Sequence, residues 1–198
     1  MKEIDKELIR LMLTFAIGLA AYLLVVDVQN DFVTGSLGSK EAQAALENIF
    51  RKVENFDGAV LFTRDTHKEN YPDTQEGKYL PVKHCIEGTE GWELAGRLKG
   101  YADKHESVIY DKSTFGNMNL ASDIKSLYKL NSIESIELIG LETDICVISN
   151  ALLIKAAVPE LPIYVDPSCC AGSTKERHDA AIEVMKSCQI LVSDESNR

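Results

Sequence analysis

The chain has 198 residues, 45% of them hydrophobic and 26% charged, which is typical of one globular domain with its own core. Its net charge of −10 and lack of a Lys/Arg cluster exclude nucleic acid as the expected partner, because nucleic acids are bound through clustered cations. The five cysteines form no CxxC pair and no secreted framework, so we expect a reduced, cytoplasmic setting.

The first predicted element is an amphipathic helix in an N-terminal extension, residues 1–21. Its apolar residues recur at helical spacing: Ile4, Leu8, Leu11, Met12, Phe15 and Leu19. A targeting segment and a membrane anchor are the alternatives. However, the leader MKEIDKELIR has as many acidic as basic residues, and the uncharged run 11–26 is shorter than the roughly 20 residues of a membrane span. We therefore expect no membrane association, and a single domain over 1–198 with its core at 22–198.

Short apolar runs then alternate with amphipathic stretches. The predicted strands are Tyr22–Val28, Gly58–Thr63, Ser107–Asp111, Ile136–Leu141, Pro162–Asp166 and Gln189–Ser193. The predicted helices are Lys40–Glu54, Asn119–Lys129, Asp144–Ala157 and Thr174–Ser187, with a short one at Trp92–Leu98. Continuous apolar strands joined by helices indicate a doubly wound parallel sheet in a three-layer αβα fold.

Polar residues follow four of these strands, where ligands bind in a doubly wound sheet. Asp27 ends the first strand, Asp65 and His67 follow the second, Lys112 follows the third and Cys146 follows the fourth. Because the carboxyl ends of parallel strands meet at one edge, we expect an acid, a metal-type pair, a cation and a thiol to lie together there.

Cys146 is the expected nucleophile of this edge, and Asp27 and Lys112 are its expected partners. The thiol falls in the first turn of a predicted helix, with Thr143 or Asp144 as the cap, where the helix dipole favours a thiolate. Lys112 would lower the thiol pKa further, and Asp27 could accept the proton. A buried structural cysteine is the alternative.

The long irregular stretch Asp65–Gly91 contains a predicted metal site. Asp65, His67 and His84 supply one carboxylate and two imidazoles, a set that suits zinc, iron, manganese or cobalt. We add Glu76 as a further oxygen ligand. Ordinary surface histidines are the alternative.

Several motifs are absent, and the remaining histidines fall elsewhere. The chain has no G-x-G-x-x-G after the first strand, no Walker A motif and no G-x-S-x-G elbow, so we expect neither an organic cofactor nor phosphoryl transfer nor serine-esterase chemistry. His105 and His178 lie away from the strand ends and are expected to be structural or exposed.

The order of these motifs resembles that of the isochorismatase-like cysteine hydrolases, and within them the nicotinamidases. The likeness rests on Val-Asp-Val-Gln-Asn-Asp-Phe at 26–32, Asp65-x-His67, His84, Lys112 and Gly-Leu-Glu-Thr-Asp-Ile-Cys-Val at 140–147, and it runs from Tyr22 to the C-terminus. It implies a six-stranded sheet in the order 3-2-1-4-5-6.

The resemblance also implies the chemistry of the site. Cys146 would attack an amide carbonyl and form a thioester, while Asp27 would carry the proton to departing ammonia and Lys112 would complete the triad. A cis peptide bond would join Leu141 to Glu142, and the N–H groups of Glu142 and Cys146 would form the oxyanion hole.

A nicotinamidase would convert nicotinamide to nicotinate and ammonia in pyridine nucleotide metabolism, within NAD salvage. The resemblance implies one divalent metal ion that holds the pyridine nitrogen, with zinc expected and iron or manganese as alternatives. Phe32 would line the pocket, and we expect a homo-oligomer that acts on a small-molecule amide.

Two other functions stay open at this stage. One is a related amidase acting on a ureido or N-carbamoyl compound, whose substrate has no ring nitrogen that needs a metal. The other is a non-catalytic metal- or ligand-binding member of the fold. Two departures from the nicotinamidase pattern bear on the choice: no aromatic residue stands three positions before His84, and Glu142 puts a carboxylate beside the nucleophile.

Overall fold

A six-stranded parallel sheet forms the centre of the computed structural model, which describes residues 20–193. Its strand order, β3-β2-β1-β4-β5-β6, confirms the predicted order and the three-layer αβα fold. All neighbouring strands run parallel. The strands are β1 (Ala20–Val26), β2 (Ala59–Asp65), β3 (Ile109–Lys112), β4 (Ile133–Leu141), β5 (Ile163–Ala171) and β6 (Leu191–Val192).

Helices cover both faces of the sheet. They are α1 (Asn30–Val33), α2 (Lys40–Asn55), α3 (Gln75–Tyr79), α4 (Arg97–Lys104), α5 (Met118–Lys129), α6 (Ile148–Ala157) and α7 (Lys175–Ser187). Two 3₁₀ turns lie at Tyr71–Asp73 and Glu90–Trp92, and a π-helical turn lies at Thr143–Val147. Ser39 and Thr174 begin α2 and α7 as N-caps, since each side chain accepts a hydrogen bond from the first helical turn.

The core has two parts, one on each face of the sheet. β1 is buried on both faces, which explains its unbroken apolar sequence. On one face Leu24 packs in a cluster with the buried residues of α5, α6 and α7. On the other face Leu23 packs with those of α2 and α4. Burial of this kind contributes roughly 25 cal/mol per Å² of apolar area.

Several of the predicted boundaries are wrong. Ala20 and Ala21 belong to β1, because they extend its pairing with β4, and not to the N-terminal extension. The helix expected at Trp92–Leu98 lies at α4 instead. Ala95 donates its N–H to the Val28 carbonyl, which holds the preceding segment against β1, and α4 begins only after Gly96.

The helix predicted for the N-terminal extension lies in residues 1–19, outside the described residues. Within 20–193, no helix combines the length and apolar character needed to cross a bilayer.

β5 is longer than its sequence indicates, since it continues past Asp166 to Ala171. Buried Asp166 and partly buried Glu137 share the ammonium group of Lys52 on α2, at 2.9 and 2.8 Å respectively. The cation compensates the two carboxylates and allows a polar stretch to remain within the sheet.

Gly140 marks a close approach of β4 to β1. Its φ is +121°, and a Cβ atom there would lie 2.1 Å from the Val26 carbonyl oxygen. Only glycine fits this position, which leads the chain from β4 into the π turn.

Replacing Lys52 by Met should lower the free energy of unfolding by about 3 kcal/mol, because buried Asp166 and partly buried Glu137 both lose this cation. Urea unfolding followed by circular dichroism measures the change. Lys99→Met is the matched control: Lys99 is half exposed and pairs with Glu93 at 3.2 Å, so its loss should cost less than about 1 kcal/mol. Equal effects of the two substitutions would contradict this account of β5.

Candidate active site

The strand ends bring an acid, an amine and a thiol into direct contact. Lys112 Nζ lies 2.6 Å from Asp27 Oδ2 and 3.5 Å from Cys146 Sγ. All three side chains are buried. A carboxylate, an ammonium group and a thiol in this arrangement can exchange a proton away from bulk water.

The backbone fixes Asp27 at the end of β1. Its φ of +48° turns the chain sharply after the strand. Its N–H donates to both the carbonyl and the Oγ1 of Thr63 on β2, and Thr63 Oγ1 in turn donates to Asp27 Oδ1 at 2.6 Å. One carboxylate oxygen is therefore held by Thr63, and the other faces Lys112.

Burial and the neighbouring charges together set the pKa values of these groups. Burial raises the pKa of Asp27 even though Lys112 lowers it. Burial also opposes the charge on Lys112, but the Asp27 carboxylate outweighs it and raises the lysine pKa. The pKa of Cys146 is raised well above its ordinary value, first by burial and then by Asp27.

The thiolate that the helix start and Lys112 were expected to favour is therefore not the form that the surroundings favour as a whole. Lys112 lowers the thiol pKa as predicted, but burial and the Asp27 carboxylate have the larger effect. These shifts favour a neutral thiol at rest, and the proton leaves the thiol only when an acceptor takes it.

Cys146 lies in the π turn that begins the helical segment ending in α6. The predicted caps are wrong: Glu142 occupies the N-cap position and makes no side-chain cap. Thr143 instead hydrogen-bonds His178 Nδ1 at 2.8 Å, and Asp144 accepts hydrogen bonds from the N–H and hydroxyl of Ser173. These hydrogen bonds hold the π turn against the start of α7.

The peptide bond between Leu141 and Glu142 is cis, as the resemblance implied. It directly precedes the π turn, whose Ile145 and Val147 N–H groups donate to the Glu142 carbonyl.

A second cluster lies beside the first and contains the four predicted metal ligands, Asp65, His67, Glu76 and His84. One donor atom from each lies within 4.8 Å of the other three. Asp65 Oδ2 is 2.9 Å from His67 Nε2 and 3.3 Å from His84 Nε2. Lys112 Nζ is 3.6 Å from Asp65 Oδ1, so the two clusters are adjacent.

The chemistry of this cluster fits a divalent metal ion. His84 Nδ1 lies 2.9 Å from the Val82 carbonyl, so its Nδ1–H can donate there and leave the Nε2 lone pair free. His67 Nε2 is buried and has no hydrogen-bond partner of good geometry within the described part of the chain. Two carboxylates and two imidazoles converging on one point are a common ligand set for such ions.

The charged groups of the cluster perturb one another. Burial works to raise the pKa of Asp65, but the adjacent imidazoles of His67 and His84, together with the Lys112 ammonium, lower it overall. Burial and the Asp65 carboxylate raise the pKa of Glu76.

Aromatic rings surround the imidazoles. Phe32, predicted to line the pocket, has its ring centroid 5.6 Å from that of His84. Tyr71, which sequence reasoning missed, lies 4.6 Å from the His67 ring and 5.1 Å from the His84 ring and donates its hydroxyl to the Leu80 carbonyl. Its position within the polar stretch after Asp65 was the only available signal.

Two further side chains support the site and were also missed. Asp31 Oδ2 accepts a hydrogen bond from the Cys85 N–H at 2.7 Å, directly after His84. Asn150 donates to the carbonyls of Cys146 and Phe115 and so joins the π turn to the loop after β3. Asp31 belongs to the quoted motif at 26–32, whereas nothing local distinguishes Asn150.

The remaining histidines differ in their surroundings. His105 is exposed, as expected. His178 is half-buried and contacts the π turn through the side chain of Thr143. The two residues are 35 positions apart, so the sequence could not indicate this contact.

A protein-family model described as the isochorismatase domain matches residues 21–196. The chain therefore belongs to the isochorismatase family.

Individual relatives agree with this assignment. The nicotinamidase of Schizosaccharomyces pombe is 28% identical over 88% of this chain and 93% of its own. The nicotinamidase/pyrazinamidase PncA of Bacillus subtilis superposes with a TM-score of 0.74 at 28% identity, covering 89% of this chain and 100% of that one. The fold also matches the pyrazinamidase of Pyrococcus horikoshii, solved in complex with zinc, with a TM-score of 0.73 at 24% identity over 88% and 99%.

Replacing Glu142 by Gln should stabilise the protein at alkaline pH. Burial, with help from Asp144 and Glu41, raises the pKa of Glu142 to about 8. The native state therefore holds a proton that the unfolded chain releases above about pH 4.5, so stability falls as pH rises from there to about 8. The stability advantage of the Gln variant over the parent, in free energy of unfolding, should grow by on the order of 2 kcal/mol from pH 5 to pH 8.5.

Urea unfolding at several pH values measures this gain. Glu134→Gln, on the exposed side of β4, is the control and should track the parent protein at every pH. A difference between Glu142→Gln and the parent that does not grow with pH would contradict the raised pKa.

Proposed function

We propose that the protein is a cysteine amidohydrolase that converts nicotinamide and water to nicotinate and ammonia. The observation that carries this proposal is the buried contact of one ammonium group, Lys112 Nζ, with both Asp27 Oδ2 and Cys146 Sγ. Such a contact is suited to moving a proton from a thiol to a carboxylate, as acyl transfer requires.

In the acylation half of the reaction, Cys146 Sγ attacks the amide carbonyl carbon and its proton passes to Asp27. The raised pKa of Asp27 makes this carboxylate a better base than an exposed aspartate. The N–H groups of Glu142 and Cys146 are our candidates for the oxyanion hole, where each donor contributes roughly 3 kcal/mol. Asp27 then gives the proton to the leaving nitrogen, the C–N bond breaks, and ammonia departs from a thioester.

In the second half, water attacks the thioester carbonyl. Asp27 takes one proton from the water, the C–S bond breaks, and this proton returns to the Cys146 sulfur. The product leaves as nicotinic acid, which releases its remaining proton to the solvent as nicotinate. Lys112 stays protonated throughout, because its raised pKa keeps the ammonium form, and it balances the negative charge that moves between Asp27 and sulfur.

Asp65, His67, Glu76 and His84 would hold the divalent metal ion, which we propose to be zinc. When bound, the ion would accept the pyridine nitrogen of the substrate as a ligand and so orient the ring. Phe32 packs against His84 and would form one wall of the ring pocket. The adjacency of the clusters supports this role, because Lys112 contacts both.

A second candidate is an amidase acting on a ureido or N-carbamoyl compound. The observation in its favour is Pro81, which stands three residues before His84 where many nicotinamidases have an aromatic residue that stacks on the substrate ring. A ureido substrate would not require such stacking.

The cellular role is also a proposal. We propose that the enzyme acts in the cytoplasm, in NAD salvage, and as a homo-oligomer. The single-domain organisation over residues 1–198 stays a prediction.

Substituting Cys146 by Ala should lower kcat for nicotinamide by about 10³-fold or more, because the nucleophile is lost. Ammonia release measures turnover, with pyrazinamide and an N-carbamoyl compound assayed in parallel to separate the two candidate functions. Cys188→Ala is the control: Cys188 lies at the end of α7 and should leave activity unchanged. Activity of Cys146→Ala within tenfold of the parent would remove the nucleophile assignment.

Replacing His84 by Ala should reduce bound metal and raise KM for nicotinamide by about 10-fold or more, because one of the proposed metal ligands is removed. Metal content by elemental analysis and steady-state kinetics measure the two effects. His105→Ala, on the exposed end of α4, is the control. A parent protein that holds no stoichiometric metal and does not respond to added metals would favour the ureido amidase.

A further inference from the structure

The carboxamide of Gln29 is buried between the ends of two strands. Gln29 is fully buried and lies two residues after Asp27. Its own N–H donates to the Asp27 carbonyl at 2.8 Å, which places the side chain just beyond the end of β1.

This carboxamide takes the place of the missing strand pairing. The β1–β2 register ends at Val26 and Thr63, yet β2 continues to Asp65. The Asp65 N–H donates to Gln29 Oε1 at 2.7 Å, and Gln29 Nε2 donates to the Asp65 carbonyl at 2.9 Å. The two backbone groups of Asp65 that face β1 are therefore paired by a side chain that behaves like one more peptide unit of β1.

Trp92 closes the other side of this contact. Gln29 Nε2 donates its second hydrogen to the Trp92 carbonyl at 2.8 Å. The Trp92 indole N–H donates to Thr66 Oγ1 at 2.8 Å, and the guanidinium of Arg64 lies 3.6 Å from its ring centroid. Arg64 and Thr66, the chain neighbours of Asp65, thus both contact Trp92, whose carbonyl accepts a hydrogen bond from Gln29.

Every polar hydrogen of the Gln29 side chain is used. A flipped amide would place Nε2 against the Asp65 N–H and Oε1 against two carbonyls, so the network fixes its orientation. A carboxylate of the same shape could accept from Asp65 but could not donate to either carbonyl. Because a buried polar group that loses its hydrogen bond is strongly unfavourable, the site requires glutamine.

The residue held in this way carries both clusters of the active site. Asp65 Oδ2 faces His67 and His84, and Asp65 Oδ1 faces Lys112. A small rotation of the Asp65 main chain would move both oxygens at once.

We propose that Gln29 is a positioning residue: it fixes the main chain of Asp65 so that its carboxylate meets the two histidines and the metal ion. The proposal rests on the metal centre of the proposed function. Trp92 supports the same segment less directly, through the side chain of Thr66.

The experiment compares Gln29→Glu, Gln29→Met and Trp92→Phe with the parent full-length protein. The zinc dissociation constant is measured by chelator competition, and the visible absorption of bound Co²⁺ reports the geometry of the site. Gln43→Met is the matched control, because Gln43 Nε2 donates one hydrogen bond, to the Val33 carbonyl, and takes no part in either cluster. Far-UV circular dichroism at the assay temperature selects the folded variants.

Both Gln29 variants should bind zinc about 10- to 100-fold more weakly than the parent and give an altered Co²⁺ spectrum, as expected for the loss of a group that orients a ligand. Trp92→Phe keeps its backbone carbonyl, so it should weaken binding less, and Gln43→Met should match the parent. If a Gln29 variant does not fold, the other variant and Trp92→Phe decide the question.

Two results would overturn the proposal, and they are distinguishable. Folded Gln29 variants with the zinc affinity and Co²⁺ spectrum of the parent would reject the role of Gln29 and leave the metal centre intact. A parent protein that binds neither ion would reject the metal centre itself.

Discussion

The buried ammonium group of Lys112 is the interaction on which the site depends. It contacts the carboxylates of Asp27 and Asp65 and the sulfur of Cys146, and its side chain is only 2% exposed. Burying a charge costs several kcal/mol unless opposite charges compensate it, so these groups can be buried only together. That condition requires β1, β2, β3 and the turn after β4 to end at the same level. The parallel sheet meets it, because its strands all point their carboxyl ends the same way.

Short polar links between distant segments hold these groups in place. Thr63 fixes Asp27, Asp31 fixes the chain beside His84, and Asn150 fixes the turn of Cys146. In each case at least one partner atom belongs to the main chain. The proposed role of Gln29 follows the same pattern. Reacting groups therefore derive their positions from the backbone of the sheet edge and not from loops alone.

The sequence predicted the sheet and the strand-end residues because both follow from local patterns. Unbroken apolar runs mark buried strands such as β1, and a polar residue directly after such a run, as with Asp27, marks the edge where ligands bind. What could not be predicted depends on partners far along the chain. Where β5 passes Asp166, the Lys52 ammonium from a distant helix compensates its carboxylate, and the acidity of Cys146 follows from burial and from Asp27. A helix-start position favours a thiolate, but burial and the Asp27 carboxylate outweigh that effect on the pKa.

The strand order has a consequence for the way the chain is made. β1 lies at the centre of the sheet between β2 and β4, although it comes first in the chain. During synthesis the proposed metal ligands are complete once residue 84 has been added, and the ammonium group of Lys112 follows. The thiol of Cys146 arrives last, in the π turn after β4, the strand that pairs with the other side of β1. A nascent chain can thus contain the acidic and cationic parts of the site while it still lacks the proposed nucleophile.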